Sequence, residues 1–142
     1  MLNSKAIHSG DIGEAICLLR LLQMNVPARI VNLKGTDILC EIDDKVLRVQ
    51  VKSARLSSLQ AKRKLNYHFN ICKGSKIKRS LSRDDCDIIA LVGIEYESAL
   101  FYPVCKFANT KTYRVIPRDM TCLLYTSPSP RDRTRSRMPS SA

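Results

Sequence analysis

The chain has 142 residues, 44% of them hydrophobic, with 24 Lys and Arg against 13 Asp and Glu and a net charge of +11. That length fits one ordinary domain rather than several. No stretch has the length or purity of a membrane span and the N-terminus lacks a signal-peptide layout, so a cytoplasmic protein with no membrane partner is expected, its excess charge suited to a polyanion.

In chain order, Ser9 or Asp11 opens a helix, Asp11 and Glu14 having the spacing of a capping box. Ile12, Ile16, Leu19 and Leu22 recur at helical spacing to about Met24, and Ala15 and Leu18 widen the stripe. Asn25, Val26 and Pro27 end the helix. Ala28 to Leu33 reads as a strand, Lys34-Gly35 as a turn, and Thr36 to Ile42 as a second strand. Asp43-Asp44 turns the chain into a third strand, Lys45 to Lys52, with Leu47, Val49 and Val51 on one face and Arg48, Gln50 and Lys52 on the other. Leu56 to Leu65 fits either a short helix or a basic loop. Tyr67 to Cys72 alternates as a strand does, and Lys73 to Ser82 is polar, basic and loop-like. Cys86 to Ile94 is an apolar run of buried-strand length. Glu95 to Glu97 turns it into a strand from Ser98 to Val104, and Thr112 to Ile116 forms an edge strand. The order predicts an α/β (α+β) fold, a single domain with a central mixed β-sheet flanked by helices.

Residues 122–142 stand apart. Their sequence resembles a translated transposase-type sequencing adapter, in two blocks that flank Arg133, Thr134 and Arg135; the alternative is a natural Ser/Pro/Arg-rich tail. A non-native, disordered tail is expected, leaving residues 1–121 as the domain and the natural C-terminus missing. Without the tail, 20 Lys and Arg face 12 Asp and Glu, a net charge of +8. Nine of those cations and no acid lie between Ser53 and Arg83. Arg55, Lys62, Arg63, Lys64, Lys73, Lys76, Lys78 and Arg79 are therefore candidates for contact with DNA phosphates, a solvated basic loop being the plainer reading. The five cysteines outside the tail, Cys17, Cys40, Cys72, Cys86 and Cys105, are widely spaced and mostly within apolar runs, which suits buried free thiols better than a zinc site or disulfides.

The hairpin around Asp43-Asp44 carries the chemistry. Asp37 and the Gln50 side-chain carbonyl are hard oxygen donors, the Val51 backbone carbonyl is another, and Glu14 adds a carboxylate from the helix. Lys52 shares a face with Gln50 and has the reach to act on an attacking water or a phosphate. Taken singly, each has a plainer reading: Glu14 caps its helix, Asp37 starts a strand, and Gln50 and Lys52 face solvent. Taken together, they have the makings of a metal-dependent phosphodiesterase site.

These residues resemble the PD-(D/E)xK nuclease superfamily. The resemblance rests on Gly10-Asp11-Ile12-Gly13-Glu14-Ala15, Thr36-Asp37-Ile38 and the run from Arg48 to Arg55, with the strands from Asp87 to Val92 and Phe101 to Val104 also in keeping. It spans about Ser9 to Pro117 and is closest to the small intron-encoded homing endonucleases, more distantly to the archaeal Holliday-junction resolvases. It implies a restriction-endonuclease-like fold, Mg²⁺ (with Mn²⁺ as a substitute) held by Glu14, Asp37 and Gln50, water assistance by Lys52, double-stranded DNA as partner, and a homo-oligomer. Two departures stand out. Thr36 replaces the motif's Pro, which only shapes a turn. Gln50 replaces its third-strand acid, a variant the homing branch tolerates, at the cost of one negative charge and some metal affinity.

Overall fold

The computed structural model describes residues 9–57, 65–73 and 77–120. Residues 122–142, and with them the expected tail, lie outside that set, as do Lys62, Arg63, Lys64 and Lys76.

The first helix, α1, spans Ser9–Gln23. The helix begins at Ser9, and Asp11 lies within its first turn, where it complements the helix dipole. The C-terminus closes in a Schellman motif: Val26 N–H donates to Leu21 O, Asn25 N–H to Leu22 O, and Asn25 takes the left-handed conformation at φ 62°. The buried stripe differs from the one expected. Gly13, Ile16, Cys17 and Leu21 face the sheet, whereas Ala15, Leu19 and Leu22 are exposed. The approach is tightest at Gly13, where the helix backbone lies against Ser53 of β3.

Strands β1 (Ala28–Leu33), β2 (Thr36–Ile42) and β3 (Lys45–Ala54) form an antiparallel meander. Its first turn uses Gly35 at φ 77°. Its second uses Asp43 and Asp44 at φ 53° and 63°, a two-residue turn closed by the Ile42–Lys45 pair, with the short polar side chains that tolerate this region. β4 (Leu56–Ser57), β5 (Asn66–Asn70), β6 (Cys72–Lys73) and β7 (Arg79–Ser80) follow, then β8 (Ile88–Gly93), β9 (Ser98–Pro103), a 3-10 turn at Val104–Phe107, and β10 (Thr112–Val115). The central sheet has the order β1-β2-β3-β8-β9; β3 and β8 are parallel and the other pairs antiparallel, so the sheet is mixed as expected.

Alternation along each strand sorts the core into two clusters. On one face α1 covers Ile38, Cys40, Val49, Val51, Ala90 and Val92. On the other, Ile89, Leu91 and Leu100 pack against Tyr67 and Phe69 of β5, Val115 of β10, Phe107 and Met120. This second face is covered chiefly by the small sheet β10-β5-β4, with a helical turn at 117–120 contributing Met120. The stretch from Lys73 to Ser82 is likewise not all loop, since Cys72 pairs with Ser80 and Lys73 with Arg79. Among the described residues no helix is long and apolar enough to cross a membrane. The five cysteines are free thiols, with Cys17, Cys40 and Cys86 buried and Cys105 exposed.

Asp85 holds the basic hairpin β6–β7 to the start of β8. It is buried, accepts from the Lys73 ammonium, both Arg79 guanidinium nitrogens, and the Ser82 N–H at 2.9 Å. Burial alone would push its pKa up. Lys73, the Ser82 N–H and Arg79 outweigh that and hold the carboxyl well below the usual carboxylate range. Asp85→Ala leaves the two cations facing each other without a counter-charge, and should lower the unfolding free energy by about 2 kcal/mol, short of a fully buried pair because Lys73 and Arg79 keep some solvent. A depressed carboxylate stabilises above its ordinary pKa of about 4 and loses that contribution as pH falls towards the folded value. Urea titrations of parent and variant should therefore differ at neutral pH and begin to converge only as the pH falls below about 4.

Candidate active site

The β2–β3 ladder runs from the turn as far as the Ile38–Val49 pair. Beyond it the strands part, and the Asp37 carboxylate takes the place of a ladder partner. Its Oδ2 accepts from the Val51 N–H at 2.8 Å and from the Gln50 Nε2 at 2.9 Å. Both main-chain groups of a strand residue face the same neighbour, so the Val51 carbonyl shares the β2 side with its N–H. Asp37 thus lies in the gap between the two strands.

Lys52 follows Gln50 by two residues and emerges on the same face. Its Nζ donates to Cys72 O at 3.2 Å, which leaves two of its three protons for other acceptors. Its charge also reaches Asp37, whose pKa it lowers. Glu14 comes from α1 on the opposite face and is coupled to Asp37 across the gap. Burial, Asp37 and Asp11 raise the Glu14 pKa in that order. Asp37 is also raised, by burial, against the opposing effects of the Val51 N–H and Lys52. One helical turn on, the buried Cys17 thiol is pushed up to about 12 by burial, by Cys40, and by the carboxylates of Asp37 and Glu14. The four sequence candidates Glu14, Asp37, Gln50 and Lys52 thus form one electrostatic unit.

A divalent cation fits this donor set. Two partly desolvated carboxylates, with Asp37 raising the proton affinity of Glu14, are stabilised by a cation between them, and the donors are hard oxygens. Two features limit the fit. The Gln50 amide turns its NH₂ towards Asp37, so ligation through Oε1 requires a half-turn of the amide. Among the described residues no group of three or more His, Cys, Asp or Glu side chains comes together to hold a metal ion. Glu14 and Asp37 are the acids available, and neutral oxygens must complete the set.

Two supports of the site escaped the sequence reading. A Cβ built on Gly13 would meet Ser53 Oγ at 1.8 Å and Ser53 Cβ at 2.9 Å, so only glycine lets α1 lie this low over β3 and bring Glu14 to the gap. Gly13→Ala should force the helix outwards, with a loss of about 1–3 kcal/mol in unfolding free energy. Adding Ser53→Gly opens the space and should recover most of it, a coupling readable in a double-mutant cycle. The second support is Arg48 on the site strand. Its Nε lies 3.2 Å from Asp87 Oδ2, and its guanidinium also donates to the carbonyls of Arg83 and Asp84, fixing β3 to the start of β8. The hydrogen bond from Arg48 holds the Asp87 carboxyl below its ordinary pKa.

The candidate DNA contacts fare unequally. Arg55 and Lys78 are exposed. Lys73 and Arg79 are engaged with Asp85, which lies just beyond the acid-free stretch.

No family model matches the chain, and no curated protein matches it. A solved structure of a bacterial homing endonuclease, I-Ssp6803I, is similar with a TM-score of 0.58, covering 82% of this chain and 77% of that one at 22% identity. The α+β architecture with a central mixed sheet is the fold the two share.

Proposed function

We propose that this chain is a Mg²⁺-dependent DNA endonuclease of the PD-(D/E)xK type, specific for a site as homing enzymes are, with Mn²⁺ able to replace Mg²⁺. The observation that carries the reading is the convergence of Asp37, Gln50, the Val51 backbone and Lys52 where β2 and β3 part, with Glu14 coupled to Asp37 from the helix. The fold shared with a bacterial homing endonuclease supports it.

Glu14 and Asp37 would hold the cation through carboxylate oxygens, with Gln50 Oε1 and the Val51 carbonyl completing the protein's share. A bound divalent cation neutralises charge at the scissile phosphate and lowers the pKa of water. Lys52 directs its remaining N–H donors at that water and at the charge developing on the phosphoryl oxygens, a preorganised contribution that strengthens towards the transition state. The Val51 N–H and the Gln50 amide keep the Asp37 carboxylate aimed into the gap. Cutting both strands of a duplex calls for two such sites, which a homo-oligomer supplies.

The orientation of Gln50 and the missing third acid favour one rival, a DNA-binding domain that has lost catalysis. A structure-selective nuclease, such as a junction resolvase or repair enzyme, would use the same site on another substrate. Incubating the full chain in Mg²⁺ with intact duplex, nicked, flap and four-way-junction DNA separates the three. Cleavage of duplex at one sequence is the expected result. Cutting confined to branched DNA would favour the structure-selective enzyme, and binding without cutting the decayed domain.

A further inference from the structure

A groove of about 620 Å³ opens between the strand-to-strand connection at Lys78–Arg83 and the 3-10 turn after β9. Lys78, Arg79, Arg83 and Lys111 line it, and none of its lining residues is acidic. Asp85, the nearest buried acid, is already engaged by Lys73, Arg79 and the Ser82 N–H. Asp87 is taken up chiefly by Arg48, with a smaller contribution from the charge of Arg83. Lys78, Arg83 and Lys111 are exposed, so three cations from two separate segments face a concave surface with no matching anion along its wall. Asn109 adds an amide at the rim, in the left-handed conformation at φ 60°.

The groove opens on the same face of the central sheet as Gln50 and Lys52, with β8 between β3 and the β9 edge it adjoins. Leu81 and Val104 at its base belong to the core cluster on the second face of the central sheet. Ala54 belongs to the same cluster, and by alternation Gln50 and Lys52 share its face. Along the sheet, the groove sits at the end where Ile88 pairs with Pro103 and Val49. Lys52 pairs with Leu91, three residues further on, which is about 10 Å at the rise of a strand. Between the two positions run Cys72, whose carbonyl receives Lys52, and the Lys73–Asp85–Arg79 tie.

We propose that this groove is a second phosphate site, which grips the phosphodiester backbone of the DNA to one side of the scissile bond. The proposal rests on the endonuclease reading for the identity of the substrate. The groove supplies affinity and register, and takes no part in bond breaking.

The test compares the parent with the triple variant Lys78→Ala, Arg83→Ala, Lys111→Ala, all exposed positions, in DNA binding without divalent metal and in single-turnover cleavage with Mg²⁺. Three lost phosphate contacts flatten the plot of log affinity against log salt by about 2–3 units. Equivalently, the parent's affinity advantage shrinks by roughly 40-fold between about 50 and about 200 mM salt. The cleavage rate at saturating DNA should stay within about twofold, since a group that binds ground and transition states alike does not change that rate. Lys111→Glu alone serves as a second variant, with the same direction of change, should the triple variant fold poorly. If the parent binds DNA and both variants keep its affinity and salt slope, the groove is not a phosphate site, while the endonuclease reading stands. If the parent binds no DNA, both fall. Tight binding of a free nucleoside triphosphate in the groove, with DNA affinity indifferent to the substitutions, would also overturn the proposal.

Discussion

Lys52→Ala is expected to cut DNA roughly a hundred- to a thousandfold more slowly than the parent while binding it nearly as well. On the proposed mechanism the ammonium contributes where charge develops, and most of the affinity would come from cations elsewhere. Its bond to Cys72 O is a single contact at the edge of the small β6–β7 hairpin, so its loss should leave the fold intact. Cleavage at saturating DNA, gel-shift affinity and thermal melting on the same preparations resolve the three effects. Lys52→Arg, which keeps the charge with a different donor geometry, should fall between the two. A Lys52→Ala variant that cuts like the parent would remove the hairpin from the chemistry and favour the binding-domain rival.

Asp37→Asn is expected to lose cleavage altogether and to tighten DNA binding in the absence of divalent metal. The amide oxygen can still accept from the Val51 N–H, so the strand junction survives. What disappears is one of two carboxylates that a cation needs, and a negative charge beside the phosphates. Gln50→Glu makes a contrasting case. It places a carboxylate beside Asp37 where an amide N–H now donates at 2.9 Å. Without metal this adds repulsion and should lower the melting temperature. With Mg²⁺ it supplies the missing acid, so the variant should gain more stability than the parent from added metal and keep its activity at lower Mg²⁺. A metal-independent loss of stability alone would argue against a cation at this position.

The hairpin from Thr36 to Lys52 was legible because its signals are local: period-two alternation on both sides of a two-residue Asp-Asp turn. The same holds for β8, whose apolar run reflects burial on both faces, and for the helix, though not for its buried side. Leu19 and Leu22 fit the periodicity yet are exposed, because the close approach of Gly13 to Ser53 rotates the helix and puts Cys17 at the sheet. That contact joins residues forty positions apart, which no local pattern encodes. The second sheet was hidden for the same reason. The alternation of Tyr67, Phe69 and Ile71 announced a strand, but its pairing with Thr112–Val115 arises only once the chain has folded. In the basic segment, the acid-free window closed at Arg83, two residues before the carboxylate that neutralises Lys73 and Arg79. Arg83 and Lys111 face one groove although they are far apart in sequence, so charge counting alone does not bring them together. Three of the four candidate residues lie on one hairpin and only Glu14 arrives from elsewhere, which is why the sequence suggests them as a set.

The most direct measurement is cleavage of a supercoiled plasmid carrying the target sequence, by parent and Asp37→Asn protein purified alike, in Mg²⁺ and in EDTA. The parent should nick or linearise the plasmid in Mg²⁺ and leave it intact in EDTA, and the variant should leave it intact in both while still shifting it on a gel. A parent that binds the plasmid but never cuts it in Mg²⁺ or Mn²⁺, or a variant that cuts as fast as the parent, would contradict a metal-dependent nuclease site at Asp37.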